Sequence, residues 1–159
     1  MYSIHHQLLI AAPLQQVYRA ITSVDGLSHW WTPRTELLSS GAPTLRFHFG
    51  NGYFKDMIIT GQRENTSFHW KCVAGDPEWI GTTLSFELIH DEQVDQPEMK
   101  GQVEQAASDR GVVLRFQHTG WRENTPNLAE CSYTWAMFLK SLKLYCETGV
   151  GKPWPGQHK

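Results

Sequence analysis

The chain has 159 residues, a 40% hydrophobic content and a formal charge of -2; that length suits one globular domain burying about two-thirds of its unfolded surface. The near-neutral balance, with no run of Lys and Arg interleaved with aromatics, argues against nucleic acid as a partner. No apolar run approaches the roughly 18 residues that a membrane-spanning helix needs, and no charged and apolar leader opens the chain, so the expectation is a cytoplasmic protein without membrane insertion.

Ile4 to Ala11 reads as an opening strand. Pro13 then starts a short helix whose Leu14, Val17, Tyr18 and Ile21 fall on one face. After a break at Ser23, Asp25 is placed to cap a second helical turn from Leu27 to Trp30, with Trp30 and Trp31 closing the corner. From Thr44 the period changes to two. Leu45, Phe47 and Phe49 alternate with Arg46 and His48, and Gly50-Asn51-Gly52 supplies hairpin turn chemistry. Phe54 to Thr60, Ser67 to Val73, Thr82 to His90 and Val112 to Thr119 continue as strands. Leu84, Phe86 and Leu88, then Leu114, Phe116 and His118, share one parity, which predicts an antiparallel sheet with one greasy face. Residues 91 to 110 are polar and weakly patterned and read mainly as a long connection.

The last element is the best signalled. Thr125 is placed to cap a helix over residues 126 to 147, Pro126 suits its first turn, and Gly149, Gly151, Pro153 and Pro155 stop it. Leu128, Cys131, Trp135, Phe138, Leu139, Leu142, Tyr145 and Cys146 form one apolar stripe, and a helix of this length needs a sheet of several strands to bury it. The domain therefore runs over residues 1–150, followed by a Gly- and Pro-rich tail, 151–159, in which Trp154 is the residue able to dock.

Three blocks of this pattern resemble a known family. APLQQVYRAITSVDGLSHWW (12–31), GTTLSFEL (81–88) and the pair LRFQHTGW (114–121) with WAMFLKSLKLYCETGVGKP (135–153) resemble the START-like, helix-grip superfamily. Within it they are similar to relatives of the C-terminal domain of the ATPase activator of the ninety-kilodalton heat-shock chaperone. The resemblance implies an α+β fold: a curved antiparallel sheet wrapped around a long C-terminal helix, with two short helices after the first strand and a cavity between sheet and helix. It implies function less firmly, because the superfamily includes lipid and hormone carriers, cyclases and chaperone regulators.

No G-x-S-x-G elbow, Walker pattern or dinucleotide fingerprint occurs, and Gly149-x-Gly151 follows a helix rather than opening one. The odd set Cys72, Cys131 and Cys146 lacks a C-x-x-C pair and reads as reduced core thiols. Eight histidines raise the question of metal, but His5 and His6 point to opposite faces of a strand, and His48 and His69 share the polar parity. No metal and no cofactor are expected. His118 has the parity of the greasy face, which leaves two readings: a core imidazole bonded to a neighbour, which is favoured, or a cavity acid or base.

The aromatic set is the main functional signal. Trp30, Trp31, Phe47, Phe49, Phe68, Trp70, Phe86, Phe116, Trp135 and Phe138, with Met57, His118, Trp121, Leu139 and Leu142, are the candidate ligand-contacting residues. They either line an open pocket or fill the core solidly, and the sequence leaves both open. Lys55, Asp56 and Glu87 are candidate polar handles, with surface solvation the favoured fate of each. The expected function is binding of a small, largely apolar ligand between sheet and helix. The alternatives are a module that regulates a chaperone or stress-response partner, and, less favoured, a cyclase or dehydratase using His118. The oligomeric state is open between monomer and homodimer.

Overall fold

A computed structural model describes residues 1–90, 102 and 111–159. The long connection expected at 91–110 lies, apart from residue 102, outside the described residues. Among the described residues seven strands form one antiparallel sheet: β1 (Tyr2–Ile10), β2 (Thr35–Leu38), β3 (Thr44–His48), β4 (Phe54–Arg63), β5 (Ser67–Ala74), β6 (Thr83–His90) and β7 (Val112–Trp121), in the spatial order β1-β7-β6-β5-β4-β3-β2. Between β1 and β2 lie α1 (Leu14–Thr22) and α2 (Val24–Trp30), and α3 (Pro126–Thr148) closes the fold. This is the expected helix-grip arrangement.

The alternation read from the sequence is what buries one face. Leu45, Phe47, Met57, Phe68, Trp70, Leu84, Phe86, Leu114, Phe116 and His118 are all buried on the side that receives the helices. Pairing of Leu45 with Met57, Phe68 with Phe86 and Phe86 with Phe116 sets these side chains beside one another across three strand pairs. The other face carries polar cross-strand contacts, including a two-pronged ion pair from Arg46 to Asp56, 2.8 and 2.9 Å.

Two local expectations are corrected. The cap of α2 is Ser23, whose hydroxyl accepts from the Gly26 N–H at 2.9 Å, and Asp25 sits two residues too late, inside the first turn of the helix. Strand β2 was not expected. It is a four-residue edge strand paired with β3, and its Leu37 is 55% exposed, so no greasy parity marks it in the sequence.

Helix α3 is capped as its sequence predicts: the Thr125 hydroxyl accepts from the Leu128 N–H. Its apolar stripe puts Trp135, Phe138, Leu139, Leu142 and Cys146 in the core. Polar ties fix its position along β1 and α1: Lys143 Nζ donates to the Leu9 carbonyl at 2.7 Å, the Glu147 carboxylate accepts from Ala11 N–H, and Gln16 donates to the Cys146 carbonyl. The tail beyond α3 packs onto this body. Trp154 N–H donates to the Trp31 carbonyl at 2.7 Å, and Lys152 N–H donates to Ser141 Oγ at 2.7 Å. Gly151 passes so close to the His29 carbonyl and Ser141 that a Cβ there would overlap the His29 oxygen.

Candidate functional site

Most of the aromatic set packs against itself. Trp31 lies at its centre, stacked on Trp70 at 5.7 Å and in contact with Phe47 at 4.1 Å and Trp135 at 5.0 Å between ring centroids. Such offset and tilted pairs are the arrangement the ring quadrupole favours. Trp30 is fully buried, and its indole N–H donates to the Ala20 carbonyl at 2.8 Å, tying α2 to α1. The inner face of the sheet is therefore filled over most of its area.

Space remains at one end. Between α3, the loop after β5, the turn before β4 and the docked tail lies a cavity of about 330 Å³, which reaches the surface beside Tyr53 and Glu130. Four of the sequence-predicted residues line it: Trp31, Phe49, Trp135 and Phe138. The others are placed elsewhere. Trp30, Phe47, Met57, Phe68, Trp70, Phe86, Phe116, Leu139 and Leu142 are core residues away from its lining, and His118 and Trp121 lie beneath it against Trp79.

The sequence reasoning missed the lining that comes from outside the periodic elements. Trp79 belongs to the turn that follows β5, where Asp76 accepts from the N–H groups of Glu78 and Trp79. Trp154 and Gln157 come from the tail; inside a periodic element, Cys131, on the predicted apolar stripe of α3, and Thr134 beside it also line the cavity. Lys55 is corrected from a solvated residue to a cavity residue. It shares the inward parity of Met57 and pairs across the sheet with Phe47. Its ammonium lies 3.6 Å from the centre of the Trp79 ring, 5.0 Å from Phe49 and 5.5 Å from Tyr53, a three-sided aromatic cage. Burial pulls its pKa below the ordinary lysine value. Asp56 is likewise not solvated, being 8% exposed and held by Arg46, while Glu87 is exposed as expected.

His118 is the floor of this region. It is fully buried; the Trp135 indole N–H donates to its Nδ1 at 3.3 Å, and Thr82 Oγ1 is 2.7 Å from its Nε2. Thr82 in turn donates to the Trp79 carbonyl at 2.6 Å. An indole N–H can only donate, so Nδ1 is the bare nitrogen, and the network assigns the proton to Nε2. Burial, reinforced by the Lys55 charge, pushes the imidazole pKa down to about 3. With both nitrogens engaged and no part of the ring in the cavity lining, His118 is placed as the core imidazole of the two readings.

All three cysteines are free. Burial raises the pKa of Cys72 to about 11 and of Cys146 to about 12, and raises that of Cys131, so none is an activated thiolate. Among the described residues no group of three or more His, Cys, Asp or Glu converges on a metal position, and no helix is long and apolar enough to cross a membrane.

A curved antiparallel sheet gripping a long C-terminal helix, with an aromatic cavity at one end of their seam, defines a START-like helix-grip protein. The chain belongs to the family described as activator of Hsp90 ATPase homolog 1-like proteins, whose model matches residues 11–147. It is similar to the Aha1 dimer of Colwellia psychrerythraea, solved in solution, with 32% identity and a TM-score of 0.74 over 95% of this chain and 100% of that one. A protein of Staphylococcus saprophyticus (14% identity, TM-score 0.68, 94% and 95% of the two chains) and CalU16 of Micromonospora echinospora (14%, 0.65, 92% and 77%) share the fold alone. No protein with curated function matches the chain.

Proposed function

We propose that this protein binds a small, largely apolar molecule in the cavity between the sheet, α3 and the tail. The observation that carries this reading is the cavity itself: about 330 Å³, with four tryptophans, Trp31, Trp79, Trp135 and Trp154, in its walls. That volume is at the lower end of the roughly 300–1,000 Å³ of small-molecule sites. Removing a ligand's apolar surface from water at about 25 cal/mol per Å² supplies the driving force. Native mass spectrometry of freshly purified protein, followed by tryptophan quenching with a panel of fatty acids, sterols and aromatics, tests it. A retained mass or saturable quenching is expected; neither appearing would remove the reading.

A second reading rests on family membership: regulation of a chaperone of the ninety-kilodalton class through the outer surface. Several large apolar side chains are exposed away from the cavity, and Leu37, Tyr133 and Val150, each more than half exposed, are its candidate contacts. Stimulated ATPase activity on adding this protein to the chaperone supports it, and an unchanged rate with no co-purification counts against it. The Colwellia relative is described as a dimer, and the same mass spectra report whether this chain is one.

A further inference from the structure

The cavity wall holds a cation that has no counter-ion among the described residues. The other basic side chains that reach into the fold have acceptors: Arg46 has Asp56, Lys143 has Glu147 and the Leu9 carbonyl, Arg115 has Gln7, and Arg122 has the carbonyls of Pro77 and Ile80. The Lys55 ammonium has three ring faces around it and, among the described residues, neither a hydrogen-bond acceptor nor a carboxylate within ion-pair distance. Ring faces attract a cation, but they offer no lone pairs in line with its three N–H bonds.

A second polar group on the same wall is also unanswered. Gln157 lines the cavity, and its side-chain oxygen is buried without a partner. A half-turn of the amide presents N–H in its place. Buried polar groups are normally paired; the Gln157 oxygen is not, and the half-buried Lys55 ammonium faces the same cavity without a protein acceptor among the described residues, so the two together describe the missing half of a contact. Carboxylates near the cavity do not supply it. Glu130 stands exposed at the mouth without an ion pair to Lys55, and Asp76 is engaged by Asn127 and the N–H of Glu78.

Resting on the reading of this cavity as a ligand site, we infer that its ligands are small apolar acids. The aromatic or short aliphatic body lies among Trp31, Trp79, Trp135 and Trp154, and the single anionic group, carboxylate or sulfonate, sits on Lys55 with the Gln157 amide beside it. The interaction is non-covalent, and the charge-assisted bond forms where the surrounding rings exclude water.

The test uses two fluorescent probes of one skeleton, anilinonaphthalene sulfonate and the uncharged N-phenylnaphthylamine, titrated into the full chain. The unmodified protein is expected to bind the sulfonate at least about tenfold more tightly than the neutral probe. Lys55→Met should abolish that preference while keeping the neutral probe, Lys55→Arg should retain it, and Glu130→Gln should strengthen it. Equal affinity for both probes overturns the anion inference and leaves the apolar cavity standing. Failure of both probes to bind overturns the two together. Should Lys55→Met fail to fold, the affinity ratio in the unmodified protein and in Glu130→Gln still decides.

Discussion

The Trp135 indole donates to Nδ1 of His118 at 3.3 Å, and this one bond orders everything below the cavity. It leaves the imidazole proton on Nε2, directed at Thr82, whose own hydroxyl proton goes to the Trp79 carbonyl. Helix α3, strand β7 and the loop that carries Trp79 are thereby joined by a chain of bonds with a single direction. Since Trp79 both ends this chain and forms the face against Lys55, the buried histidine positions the cavity wall without lining the cavity itself.

The first prediction concerns pH. With a folded pKa near about 3 against an ordinary value of 6.5, His118 stays neutral in the folded protein while the unfolded chain takes up a proton. The unfolded state binds more protons in this window, so the contribution of His118 to stability is complete above pH 6.5 and is lost as pH falls toward about 3. The loss is about 1.4 kcal/mol per pH unit. Urea unfolding should show stability falling between pH 6.5 and 4, and nuclear magnetic resonance of the imidazole nitrogens should show His118 untitrated at pH 5. A His118 signal that titrates near 6.5 would contradict the network.

The second concerns Thr82. Thr82→Val keeps the shape but removes both the acceptor for His118 Nε2–H and the donor to the Trp79 carbonyl. An unsatisfied buried donor costs about 1–3 kcal/mol, so the urea midpoint should fall accordingly, with Thr82→Ser retaining most of the stability. The same midpoint for Val and Thr would show that the bonds are not made.

These relationships also show where the sequence was readable. Strand alternation, the corner at Trp30 and Trp31, and the stripe of α3 are local patterns with fixed periods, and each put its residues on the correct face. The parity of β4 already placed Lys55 inward beside Met57, but its type argued for solvent, because what surrounds it comes from outside that strand. Trp79 sits in a turn, where no period reports direction, and Trp154 and Gln157 sit in a tail whose docking depends on Gly151 fitting under His29. Strand β2 was invisible because its Glu36 and Leu37 are both exposed on an edge. The periodic part of the fold was legible, and the cavity was not, because it is closed by aperiodic segments.

The tail prediction follows from Gly151. A Cβ there would overlap the His29 carbonyl oxygen and crowd the Ser141 carbonyl and hydroxyl, and the two carbonyls are backbone atoms that cannot swing away. Gly151→Val should therefore expel the tail. Trp154 would leave the Trp31 carbonyl and the Phe49 ring, its emission would shift to the red, and limited proteolysis would clip the chain after α3. Val150→Ala, at a side chain 72% exposed, serves as the control and should leave the tryptophan emission and the cleavage pattern unchanged. Unaltered emission from Gly151→Val would mean that the tail is not held as described. Apolar probes should also bind the expelled-tail variant more weakly, since two lining residues leave with it.

The three thiols supply a reporter for occupancy of the cavity. Cys72 and Cys146 are buried in the core, whereas Cys131 lies half-buried in the cavity lining, with its sulfur accepting from the Trp79 indole at 3.4 Å. A maleimide should therefore modify Cys131 first. Burial raises its pKa above the ordinary 9.0, so only a small thiolate fraction exists at neutral pH. The rate should climb about tenfold per pH unit through neutral pH until the thiol itself titrates. Saturating N-phenylnaphthylamine should slow labelling of Cys131 and leave the slower reaction of the other two unaffected. Mass mapping after brief exposure reads both effects. Modification of Cys72 or Cys146 before Cys131 would place the opening elsewhere, and unprotected labelling of Cys131 at saturation would mean that the probe binds outside the cavity.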